Sequence, residues 1–115
     1  MTIKIYHNPR CSKSRQTLNL LNENGVNPDI EEYTKKSPSV AEIKKLLNML
    51  GFDRVRKLMR TGESIYKELG LKDENDEEKL IRAMNENPIL MERPIIVRGN
   101  KAVIGRPPEN VLSLL

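Results

Sequence analysis

Changes in the period of the hydrophobic pattern divide the chain. Thr2-Ile3-Lys4-Ile5-Tyr6 alternates at period two and predicts a strand. From Ser14 to Asn24 the spacing of Thr17, Leu18, Leu20 and Leu21 is helical, and Gly25 suits a C-terminal cap. Asn27-Pro28 breaks that pattern, and Ile30-Glu31-Glu32-Tyr33 predicts a second short strand. Strand, helix and strand within this length make a βαβ unit, so the two strands are expected to be parallel with a right-handed crossover. Residues 39 to 86 read as wholly helical. Ser39 and Glu42 fit a capping box ahead of the stripe Ile43, Leu46, Leu47 and Leu50, which Gly51 closes. A short helix using Phe52, Val55, Leu58 and Met59 follows, then a turn or helix over Ser64 to Leu69 ended by Gly70. Glu77 to Asn85 carries Leu80, Ile81 and Met84 on one face, and Asn87-Pro88 stops it. The pattern then turns to short apolar runs. Ile89-Leu90-Met91 is one, Pro94 to Val97 predicts a strand, and Lys101 to Ile104 pairs back on it as a hairpin across Arg98-Gly99-Asn100. Glu109 to Leu115 predicts a final short helix. The expectation is one α/β domain over residues 1–115, with a helical insert at about 39–86 between a βαβ half and a ββα half.

The candidate chemistry sits in the first strand-to-helix turn, His7-Asn8-Pro9-Arg10-Cys11-Ser12-Lys13-Ser14-Arg15, which holds the only cysteine and the only histidine. A lone cysteine is commonly a small buried apolar residue. Here its neighbours are polar and basic, and a helix N-terminus brings N–H groups and positive potential that stabilise a thiolate. Residue types therefore favour a reactive Cys11 that handles an anion. One cysteine excludes an internal disulfide and a multi-cysteine zinc site, so any disulfide chemistry needs a thiol from another molecule.

Composition changes this picture little. Hydrophobic residues make up 37% and charged residues 31% of 115, which bounds a globular chain with a core of Leu, Ile, Val and Met. The net charge of +4 suits a nucleic acid or a small anion equally, but no dense basic block or aromatic interleaving points to nucleic acid. No segment has the length of a membrane span, and the N-terminus enters a strand directly, so a cytoplasmic protein with a reduced thiol is expected; a monomer is the working expectation, though the sequence does not fix the oligomeric state.

A βαβ half, a ββα half and a thiol at the first strand-to-helix turn form the plan of the thioredoxin/glutaredoxin fold. In that fold a cis-proline opens the third strand beside the thiol, and Pro94 occupies that position. Three signatures carry a closer resemblance. They are Tyr6-His7-Asn8-Pro9 with Cys11 to Arg15, Asn87-Pro88 through Glu92-Arg93-Pro94-Ile95, and Ile104-Gly105-Arg106-Pro107-Pro108. In order and spacing they resemble the glutaredoxin-coupled arsenate reductases, in particular their short bacterial branch, over essentially the whole chain.

The resemblance implies an arsenate reductase with no bound cofactor, using glutathione as co-substrate and glutaredoxin as partner. It implies that Cys11 is the nucleophile, that His7 favours its thiolate form, and that Arg60, Arg93 and Arg106 bind the oxyanion. Arsenate is a dianion near neutral pH, and guanidinium forks suit such oxyanions. Ser14 stands where a second cysteine would complete a Cys-x-x-Cys, which argues against an autonomous dithiol oxidoreductase. Two other readings belong beside the first. One is a glutathione-dependent thiol oxidoreductase of another substrate. The other is an RNA-polymerase-binding regulator of the Spx type, whose paired-cysteine switch Ser14 removes.

Overall fold

A computed structural model describes residues 2–115, which form two compact units. The first joins the chain up to Lys36 to Arg93–Leu115, and the second is Ser37–Glu92.

The first unit is built on a four-stranded sheet in the order β2-β1-β3-β4, with β1 at Ile3–Tyr6, β2 at Asp29–Glu31, β3 at Ile95–Arg98 and β4 at Lys101–Ile104. β1 pairs parallel with β2 and antiparallel with β3, with Ile5 opposite both Ile30 and Ile96. β3 and β4 form the expected hairpin, Ile96 opposite Val103. Period-two alternation puts Ile3 and Ile5 on one face of the central strand. There they join Leu21 of α1 (Ser12–Glu23), Ile96, and Val111 and Leu114 of the final helical turn in one core. Gly25 ends α1 as expected. At φ +76° its N–H bonds the Asn22 carbonyl at 3.0 Å and the Val26 N–H bonds the Leu21 carbonyl at 2.9 Å, which is the paired C-terminal motif that a left-handed glycine allows.

Three local expectations shift. α1 begins at Ser12, two residues earlier than its apolar stripe indicates, because the cap and first turn are polar. β2 ends at Glu31, so Tyr33 falls in a turn where it is fully buried, while Ile30 is exposed. The last helix is 3₁₀ over Pro108–Leu114. Prolines 107 and 108 are accommodated at its opening, where N–H groups have no intrahelical acceptor, and the chain closes on three-residue bonds such as Asn110 N–H to the Pro107 carbonyl at 3.1 Å.

The second unit is helical, with α2 at Val40–Leu50, α3 at Ser64–Glu68 and α4 at Glu77–Glu86, joined by 3₁₀ turns. Ser39 caps α2 by accepting the Glu42 N–H at 3.1 Å, and Asp76 caps α4 by accepting the Glu78 N–H at 2.9 Å. α2 packs on α4, and Ile43, Leu46, Leu58, Leu80 and Met84 are fully buried. Of the stretch from Phe52 to Met59 only Val55–Leu58 is regular, as a 3₁₀ turn. The Arg56 guanidinium ties the loops together through the Tyr66 hydroxyl and the Leu71 and Glu74 carbonyls, at 3.1, 2.8 and 2.7 Å. Among the described residues no helix is long and apolar enough to cross a membrane.

Candidate active site around Cys11

Cys11 is the N-cap residue of α1, extended at φ −93° and ψ 124°, half-buried and a free thiol. The turn before it is held by short bonds. The Asn8 carboxamide oxygen accepts the Arg10 N–H at 3.0 Å, and the Asn8 carbonyl accepts the Cys11 N–H at 2.9 Å. Arg15 donates back to the Pro9 carbonyl at 2.9 Å. An N-cap is where a side chain meets the amides of the first helical turn. Cys11 makes no capping bond of ordinary geometry, yet the Ser14 and Lys13 amides lie close enough to act on its sulfur.

Burial pushes the Cys11 thiol up, but the Ser14 N–H, the Arg93 guanidinium and the Lys13 N–H outweigh it and hold the thiol below its ordinary value. Arg106 reaches the same sulfur with Nη1 at 3.9 Å and donates to the Arg93 carbonyl at 3.4 Å. Arg93 is buried, whereas Arg106 is exposed. Both precede a cis-proline, Pro94 and Pro107. The sequence leaves the Arg93-Pro94 isomer open, with Pro94 as the candidate for the strand-opening cis-proline, and the bond is cis. The cis bond at Arg106-Pro107 has no sequence signal beyond the paired prolines.

His7 and Ser14 flank the thiol in sequence and bond to each other. Both are buried, with His7 Nδ1 2.6 Å from Ser14 Oγ, and that hydroxyl also accepts the Asn8 N–H at 3.0 Å. Burial pulls the His7 imidazole below the ordinary histidine value, the Glu32 carboxylate opposes this, and Arg15 reinforces it.

Gly105 fits closely into the same unit. A Cβ there would lie 2.6 Å from Thr17 Oγ1 and 2.9 Å from Pro94 Cγ, and the Gly105 N–H donates to the Pro94 carbonyl at 2.9 Å. Thr17, read from the sequence only as part of an apolar stripe, donates to the Lys13 carbonyl at 2.8 Å and approaches the Gly105 carbonyl at 3.3 Å.

Cys11, His7, Ser14, Arg93, Pro94 and Arg106 thus all belong to the first unit. Arg60 belongs to the second, where its Nε pairs with Glu63 Oε1 at 3.1 Å. Ser14, read from the sequence as a residue near the site where a second cysteine is absent, gains a bonding role in the structure. It stands three residues after the cap, where its amide faces the sulfur and its hydroxyl reaches back to His7.

The model of the ArsC family matches residues 6–114. An uncharacterized Escherichia coli protein, YfgD, is 56% identical over 98% of this chain and 96% of its own length. An arsenate reductase of Haemophilus influenzae is 48% identical over the whole of both chains. The solved structure of an arsenate reductase from Vibrio cholerae superposes with a TM-score of 0.97 at 50% identity, covering 100% of this chain and 98% of that one. Motif, fold and match agree over nearly every residue, and the chain belongs to the ArsC family.

Proposed function

We propose that this chain reduces arsenate to arsenite, with Cys11 as the nucleophile and with glutathione and glutaredoxin supplying the electrons. The observation that carries the reading is the Cys11 sulfur itself, on which helix amides and the Arg93 and Arg106 side chains act together. Such an arrangement favours a thiolate and suits an oxyanion bound beside it. The relatives named arsenate reductases direct the choice of oxyanion. Arg60 is the third arginine in this reading.

Attack by the thiolate forms an S–As bond and breaks one As–O bond, the oxygen leaving as water once protonated. The glutathione thiol displaces a second oxygen as water. A glutaredoxin thiolate then attacks the glutathione sulfur. The electron pair of that As–S bond stays on arsenic, taking As(V) to As(III), while the two external sulfurs become a mixed disulfide. Hydrolysis of the remaining bond releases arsenite and restores Cys11. A chain with one cysteine suits this external route, and a reduced thiol suits the cytoplasm.

The test is arsenate-dependent NADPH oxidation with glutathione, glutaredoxin and glutathione reductase, comparing wild type with Cys11→Ser. Turnover is expected in the wild type and none in the variant. Arsenate turnover by Cys11→Ser overturns the nucleophile. No turnover from a wild type whose Cys11 still alkylates rapidly excludes arsenate and leaves an oxidoreductase of another substrate.

A further inference from the structure

We propose that Ser14 is a positioning residue for the Cys11 thiolate: its hydroxyl ties the His7 ring and the Asn8 amide to the first turn of α1 and so fixes the Ser14 N–H that faces Cys11 Sγ. In this arrangement His7 works through its hydrogen bond at Nδ1 and not as a counter-charge. The proposal rests on the reading of Cys11 as the nucleophile and adds what holds it ready.

Ser14 is fully buried, a position where a hydroxyl is destabilising unless it is bonded. It has two partners, both in the turn preceding the thiol, with His7 Nδ1 at 2.6 Å and Asn8 N at 3.0 Å. The second bond spends one oxygen lone pair on a backbone donor. The hydroxyl proton is then available to His7 Nδ1, which accepts it only as a neutral imidazole. The groups acting on the ring agree with a neutral state. Burial opposes the charged form most strongly and Arg15 of α1 adds to this, while only Glu32, which follows β2, favours the charge. The backbone of the same residue is the link to sulfur, because, against the effect of burial, the Ser14 N–H, with Arg93 and Lys13, lowers the Cys11 thiol. Ser14 therefore connects the end of β1 to the nucleophile through both its hydroxyl and its amide. A charged histidine is not part of this connection.

The test is the rate of Cys11 alkylation by iodoacetamide against pH, which reads one thiol because the chain has only one. Folding of each variant is checked by circular dichroism. His7→Ala and Ser14→Ala are each expected to move the alkylation midpoint upward and slow alkylation at pH 7 by about fivefold, as the thiolate fraction falls. The double variant is expected to match either single one, as in a chain of contacts. His7→Asn decides the matter even if Ser14→Ala fails to fold, because asparagine places a hydrogen-bonding group near the Nδ1 position and carries no titratable charge. Recovery of the wild-type profile in His7→Asn supports the proposal. A His7→Asn profile equal to that of His7→Ala, or a Ser14→Ala profile equal to wild type, overturns it. Alkylation needs no arsenate, so these outcomes are independent of whether arsenate turns over.

Discussion

At the scale of single residues, the site depends on the difference between arginine and its nearest substitute. Arg106 meets Cys11 Sγ and the Arg93 carbonyl through the same Nη1. A guanidinium can serve such partners and still present a planar fork to an oxyanion, whereas a lysine offers a single point charge on a flexible stem. Arg106→Lys is therefore expected to raise KM for arsenate about tenfold, a loss of roughly 1.4 kcal/mol of binding. Because Arg106 is exposed, the unfolding midpoint should stay within experimental scatter of wild type. Steady-state kinetics and urea denaturation of the same preparation separate the two quantities. An unchanged KM removes Arg106 from the oxyanion site.

Among elements, the contact that sets the site is the approach of α1 to the strand end at Gly105. Thr17 Oγ1 would lie 2.6 Å from a Cβ at that position, and Pro94 Cγ would lie 2.9 Å away. Gly105→Ala must push α1 or the Pro94 turn aside, at a cost of about 1–3 kcal/mol in stability. Since Cys11 caps α1 and Pro94 follows Arg93, arsenate turnover should fall with it. Urea denaturation with the coupled assay checks both, and an alanine accepted without loss of either shows that the two elements can separate freely.

Much of this was legible in the chain. Alternation in Thr2 to Tyr6, the Gly25 cap and the Asn27-Pro28 break locate the βαβ half, because each is a local signal. The turn at His7 to Arg15 was legible because unusual residue types cluster there. Three features were not legible. The exposure of Ile30 and burial of Tyr33 depend on where β2 leaves the sheet, which pairing decides and composition does not. The need for glycine at position 105 comes from Thr17, 88 residues earlier in sequence. The Ser14 hydroxyl reads as an absent cysteine until its bond to His7 is seen.

For the whole molecule, the net charge of +4 draws a dianion toward the chain, and short-range contacts decide where it stays. The central claim is that it stays on Cys11. Alkylation of Cys11 at pH 7, with and without arsenate at ionic strength matched by chloride, tests that claim without any external reductant. Arsenate is expected to slow alkylation saturably, with half-protection near its KM in the coupled assay. An alkylation rate indifferent to saturating arsenate contradicts the assignment of Cys11 as the residue that meets the substrate.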